Sequence, residues 1–238
     1  MAANPLAPNN FPPESAAEWG QDAYGLWATW YYDDVPFTMR WIPAGRFLMG
    51  SPKSELERYD DEVQHEVTIS RGFWLAETTV TQALWRQVIG ENPSEYEGDQ
   101  HPVDSISWDN CSDFIEKLNQ HYQLSVQFRF PTEAEWEYAC RAGTQTPFHF
   151  GSNINTDYIN FNGNYPYDKG KKCEYRGCTV DVSALPCNKW GLYQMHGNVW
   201  EWCFDFFDDH LKGLQVDPPG LKVGTLRVLR GGSWFNVG

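Results

Sequence analysis

No apolar run in this 238-residue chain approaches the roughly 20 residues that span a bilayer, so a membrane-crossing helix is not expected. The start, Met1 to Pro13, has neither a basic nor an apolar segment of the secretory type, and the expectation is a soluble, cytoplasmic protein. Basic surplus is also missing. With 18 Lys and Arg against 32 Asp and Glu, the formal charge is −14, which supplies no footprint for nucleic acid and would be repelled by an anionic membrane surface. No GxSxG, Walker or HExxH pattern occurs, nor a glycine-rich dinucleotide motif. The six cysteines (Cys111, Cys140, Cys173, Cys178, Cys187 and Cys203) include no pair of CxxC knuckles. In a reducing compartment they are expected to be mostly buried small hydrophobes. The close group Cys173, Cys178 and Cys187 leaves a disulfide or a zinc site open.

What is present is aromatic. Twelve Trp, with Phe and Tyr, bring the aromatic share to 16%, punctuated by 20 Gly and 15 Pro. That mix suits a loop-rich fold pinned by indoles rather than a helical bundle. The organising stretch runs from Gly191 to Trp202, GLYQMHGNVWEW, and follows neither a helical nor a strand period. Glu201 stands between Trp200 and Trp202. A carboxylate among indoles needs a cation or several N–H donors, because burying it alone costs several kcal/mol. A metal-ordered loop over an aromatic core is the first hypothesis, with Trp200 and Trp202 packing that core and His196 in a hydrogen-bonded structural role.

Residues 1–18 read as a flexible lead-in and 19–238 as one domain. Phe37 to Ile42 and Arg46 to Ser51 alternate as strands around Pro43-Ala44-Gly45 and predict a β-hairpin; Val67 to Ile69 and Phe73 to Ala76 predict another. Helices are expected over Thr79 to Ile89, capped by Thr81 and ended near Gly90, and over Ser107 to Tyr122, with Trp108, Cys111, Ile115 and Leu118 on one face. A third starts at a Thr132–Glu135 capping box, where Glu133, Glu135 and Glu137 all read as helix-start acids. Asp205, Asp208 and Asp209 read as a solvated acidic loop, and Leu226 to Arg230 as a strand. The long interval from Gly143 to Val182 needs packing or ion contacts to order it. The class is α+β with small antiparallel sheets, few helices and long loops.

The runs RFPTEAEWEYACRAGT (Arg129 to Thr144), NKWGLYQMHGNVWEWC (Asn188 to Cys203) and RVLRGGSW (Arg227 to Trp234), in that order, resemble the formylglycine-generating enzyme (sulfatase-modifying factor) family. IPAGRFLMGS (Ile42 to Ser51) and VTQALW (Val80 to Trp85) match it too. The resemblance implies an irregular C-type-lectin-like fold with two calcium sites. One would use the Glu201 side chain with the carbonyls of Gln194, Gly197 and Val199. The other would use Asn160, Glu174 and the carbonyls of Phe161 and Arg176, Glu174 standing where the family has aspartate. Oxygen donors of this kind are what a hard cation selects.

Enzymatic members of the family oxidise a peptidyl cysteine of a sulfatase with two copper-binding cysteines placed shortly after the Gly-Gly-Ser-aromatic motif; soft thiolates suit copper(I). In this sequence the first of those positions is Asn236 and the second lies past Gly238. The same scaffold is similar to the variable proteins of diversity-generating retroelements, where a binding face begins just after RGGSW; here Trp234, Phe235 and Asn236 would open it. WGQDAYGLW with MRWIPAGRFLMGSP is also closer to such bacterial members. The expectation is a non-catalytic module for a protein or small ligand on a calcium-stabilised scaffold, the alternative a copper-dependent formylglycine-generating oxidase. Because the family continues past RGGSW with a further strand, completion by another chain or segment is expected as well.

Overall fold

The computed structural model describes residues 8–207 and 213–238. Strands β1 (Glu18–Asp22) and β2 (Gly25–Tyr32) form a hairpin, and β3 (Val35–Ile42) adds to β2. Leu26, Ala28 and Trp30 of β2 alternate inward, so the mixed aromatic spacing of this region is a strand period spread over two strands. Ahead of β1, Phe11 stacks on Trp74 at 6.3 Å and the Trp30 indole donates to the Glu14 carbonyl at 3.1 Å. The expected lead-in over residues 1–18 falls partly outside the described residues.

The two expected hairpins are replaced by one nested arrangement. β4 (Gly45–Met49) pairs with β5 (His65–Ile69), while β3 pairs with β6 (Phe73–Ala76). A two-residue hairpin turn needs positive φ at its centre, which proline cannot adopt, so Pro43-Ala44 bends the chain from one sheet into the next. At the matching bend on the return arm Gly72 is required: a Cβ there would lie 2.3 Å from the Trp41 ring. The four-stranded sheet runs β1-β2-β3-β6, with β6 at an edge. β8 (Gln215–Val216) joins β5 in parallel. β7 (Glu201–Phe206) pairs with β9 (Arg227–Arg230) as an antiparallel ribbon.

The helices follow their local signals. α1 (Gln82–Ile89) is capped by Thr81 and stopped by Gly90 in the left-handed region. α2 (Trp108–Tyr122) starts on a Ser107–Asn110 capping box and buries Phe114 and Leu118 rather than the full expected face. α3 (Glu133–Arg141) starts on the Thr132–Glu135 box. Glu137 corrects the helix-start reading: it is buried, accepting from the Gly50 amide (2.8 Å), the Arg141 guanidinium (2.8 Å) and the Arg230 guanidinium. Asp205 is not solvated either; it is buried and accepts from the Glu133 amide at 2.6 Å, at the start of α3. Asp208 and Asp209 lie outside the described residues.

One core joins β4, β5, α3, β7 and β9 through Met49, Val67, Trp136, Ala139, Leu192 and Val228. A second lies between α1 and α2, and a third, around Ile154, Ile159 and Phe161, orders the long interval after α3. Among the described residues no helix is long and apolar enough to cross a membrane.

Candidate functional site

The loop from Gly191 to Val199 is held by close backbone approach and by carboxamides. Asn188 donates to the Ala139 and Cys140 carbonyls in the last turn of α3, and its own oxygen accepts from the Trp190 and Leu192 amides. At Gly197 a Cβ would sit 2.4 Å from the Asn160 carbonyl oxygen, so only glycine fits. Asn198 is fully buried in the left-handed region, φ 73°. Its oxygen accepts from the Asn160 amide group (3.1 Å) and the Val180 amide (2.9 Å), and its own amide group donates to the Val180 carbonyl (3.0 Å). The Trp234 amide donates to its carbonyl at 3.0 Å. One residue therefore ties together three segments that are distant in sequence, two through its side chain and one through its carbonyl.

Glu201 opens β7 beneath this loop. Its Oε2 accepts from the Trp136 indole at 3.1 Å, while Oε1 is buried without a hydrogen-bond partner. Burial pushes the carboxyl up to about 7, against the pull of the Trp136 hydrogen bond. A point one Cβ away from Gly231 is 3.7 Å from both Glu201 Oε1 and the Val199 carbonyl oxygen, so these two oxygens face a common space. Both side-chain polar atoms of the buried Gln194 also lack a partner. An unpartnered carboxylate oxygen beside a carbonyl is a donor set that fits a hard cation. Gly197, also placed in this set, already accepts from the Val199 amide at 3.0 Å through its carbonyl.

The second expected set is arranged differently. Asn160 Oδ1 is buried without a partner, and Phe161 belongs to the third core. Glu174 is exposed with its carboxylate 3.4 Å from the Arg176 guanidinium, and the Arg176 carbonyl accepts from the Cys178 thiol at 3.6 Å. A guanidinium thus stands beside the carboxylate expected to bind metal. Among the described residues no three His, Cys, Asp or Glu side chains gather as a metal cluster, and all six cysteines are free. Cys173, Cys178 and Cys187 form no disulfide.

His196 accepts from the His149 amide at 3.1 Å and lies 3.5 Å from the Cys140 sulfur, with Phe148 and Phe150 edge-on to its ring. Burial, then His149, depresses its imidazole to about 3. Trp202 donates from its indole to the Ile106 carbonyl, whereas Trp200 is 42% exposed and so does not pack the core.

Trp200 instead lines a groove of about 1880 Å³ that also takes in Phe73 and Leu75 of β6, Trp202 and Leu229. Trp234 and Phe235 lie on its wall, Phe235 54% exposed. Asn236 does not reach outward: its oxygen accepts from the Ser233 hydroxyl at 2.5 Å, and its carbonyl from the Asn162 amide at 2.9 Å. Sequence reading missed Asn198, Gln82 and Glu137 as organising residues. Each joins segments far apart in the chain, and no local signal marks such a role.

Residues 34–237 match the model of the Sulfatase-modifying factor enzyme 1-like domain. The formylglycine-generating enzyme of Mus musculus is 33% identical over 177 residues, covering 72% of this chain and 44% of that protein. The chain spans about half the length of the curated relatives it matches. Among solved structures, variable protein 1 of Treponema denticola superposes with a TM-score of 0.73 at 28% identity, covering 88% of each chain. PvdO from Pseudomonas aeruginosa superposes at 0.66 and 25% identity, covering 87% of this chain and 85% of its own. The fold is the expected C-type-lectin-like α+β fold, and the chain belongs to the formylglycine-generating enzyme (sulfatase-modifying factor) family.

Proposed function

We propose that this domain is a non-catalytic module that binds a protein or small ligand through the face opened by Trp234 and Phe235, on a scaffold held by calcium at Glu201. Position 236 carries the reading. Where the family resemblance puts the first copper thiolate there is a carboxamide, and it is engaged with Ser233. Asparagine cannot replace a thiolate toward copper(I). Beside it, an exposed Phe235 on the wall of a large groove supplies apolar contact area of the kind binding surfaces use. The likeness to a variable protein supports the same reading.

Calcium would be held by the Glu201 side chain with carbonyls of Gln194, Gly197 and Val199; the set around Asn160 and Glu174 is a second, less open candidate. The ion would neutralise a carboxylate that otherwise lies buried at high cost. Six free thiols suit a cytoplasmic location. The edge of β6 borders the groove, where another chain or segment would add a strand and complete the sheet.

A second reading, a copper-dependent formylglycine-generating oxidase acting on a peptidyl cysteine, draws on the 33% identity to the mouse enzyme. Titrating copper(I) against a colorimetric chelator separates the two. The binding-module reading expects no tight stoichiometric copper. Tight one-to-one binding that survives Cys173→Ser with Cys178→Ser would overturn it.

A further inference from the structure

We infer that the corner of the groove where Tyr96, Trp234 and Phe235 meet is a site for an alkylated ammonium cation, the head group of a choline-like molecule or of a methylated lysine. This rests on the binding-module reading and narrows its ligand to one chemical class.

The rings supply the first half of the argument. Tyr96 meets Trp234 edge-on at 5.5 Å and Phe235 meets it edge-on at 5.4 Å, while Tyr175 stacks on it at 6.0 Å. Tyr96, Trp234 and Phe235 all line the groove. Aromatic faces attract large, weakly hydrated cations, Trp most strongly.

Charge supplies the second half. The groove wall carries seven carboxylate side chains and two guanidinium groups, with no lysine. Most of those carboxylates are occupied: Glu77 by Arg40, Glu135 by Arg129, Asp217 by Ser70 and Glu14 by Ser125. Glu95 and Asp104, beside Tyr96, have no ion-pair partner among the described residues. Asp104 Oδ1 accepts from the Glu95 amide and the Ser105 hydroxyl, but Oδ2 is buried with no partner. Burial, and after it the Glu95 carboxylate, pushes the Tyr96 phenol up, as a negative local potential would.

The corner is also built rather than incidental. The fully buried Gln82 donates to the Tyr96 and Pro102 carbonyls and accepts from Asn92 and the Gly98 amide, fixing the loop that presents Tyr96. Asn198 fixes the backbone of Trp234 from the other side. Pre-organisation of this kind lowers the entropy lost on binding. A methylated ammonium asks for ring faces and a negative field but for no acceptors. A hard divalent ion would need several converging oxygens, which the buried Asp104 Oδ2 with Glu95 does not supply.

The test is fluorine NMR of the protein labelled with 5-fluorotryptophan, the Trp234 signal being assigned by Trp234→Phe. Three probes are titrated: choline, its uncharged carbon isostere 3,3-dimethyl-1-butanol, and a peptide carrying trimethyl-lysine. Choline is expected to move the Trp234 signal saturably, and the alcohol to bind at least about ten-fold more weakly. Asp104→Asn with Glu95→Gln is expected to weaken choline by a similar factor. Tyr96→Leu should do the same while leaving the other indole signals in place, which separates loss of the site from loss of the fold. A tighter peptide than choline identifies a protein-borne head group, and the reverse order a free one. If the alcohol binds as well as choline, the cation assignment is overturned and the binding face stands. If no probe moves the signal, the assignment is likewise overturned, while the copper(I) titration above judges the binding-module reading separately.

Discussion

Glu201 takes a hydrogen bond from the Trp136 indole on one carboxylate oxygen and leaves the other buried without a partner, across 65 residues of sequence. A neutral donor satisfies half of a charged group. The remaining oxygen shares its space with the Val199 carbonyl, and an anion left so is costly unless a cation joins it.

Calcium is therefore expected to raise the melting temperature and EDTA to lower it. At a concentration about 100-fold above Kd the gain is about 2.7 kcal/mol, which for a domain of this size is roughly 5–10 °C. Glu201→Gln should abolish the difference between the two conditions. Identical melting temperatures in calcium and EDTA, with elemental analysis showing no bound calcium in either, would remove calcium from the account.

Acid should destabilise the fold through His149. Burial depresses its imidazole from 6.5 to about 4, so the unfolded chain binds a proton that the native state refuses between those values. The His149 contribution is then level above about pH 6.5 and falls as pH drops toward 4, by at most about 1.4 kcal/mol per pH unit and less after solvent screening. Denaturant midpoints measured across this range for the unmodified protein and for His149→Gln should diverge below pH 6; parallel curves would count against the assignment.

Asn198→Ala should cost about 2–4 kcal/mol, because the Val180 amide and the Asn160 side chain lose their acceptor inside the protein. Hydrogen exchange should rise together at residues near 160 and 180. A rise confined to residue 198 and its neighbours would show that the two segments are held by something else.

Removing Arg230 should expose how much the α3 ion cluster contributes. Arg230→Met leaves Glu137 with Arg141 and the Gly50 amide only, and a loss of about 2–3 kcal/mol is expected. Replacing Glu137 by Leu and Arg230 by Met together should not add the two single losses, because the second change removes a group the first has already stranded. Additive losses in denaturant titrations would mean the two side chains act independently.

Local signals carried a large part of this architecture. Thr81 and Thr132 cap the helices they were expected to cap, and Arg227 to Arg230 is a strand. Those features depend on hydrogen bonds within three or four residues, which sequence spacing reports directly. The demand of Glu201 for a partner was legible for a similar reason, since its flanking indoles are its sequence neighbours. β7 was hidden because its first residues lie in a stretch whose glycines and carboxamides answer to loop geometry.

Alternation identified the arms β3, β4, β5 and β6 but not their partners, and the nested pairing came from the bend at Pro43 together with burial on both sheets. Glu133, Glu135 and Glu137 look alike in sequence. Only the fold turns Glu137 inward onto Arg230, nearly a hundred residues away, and leaves Glu135 on the cap. The same holds for Trp200 and Trp202, two residues apart, one 42% exposed and the other tied down by its bond to the Ile106 carbonyl. The chain's own chemistry determined its helix starts, its aromatic character and the presence of a carboxylate that needs a partner. Which strands pair, which acid is buried and which rings line the groove were decided by the tertiary structure, because those outcomes depend on groups brought together from opposite ends of the chain.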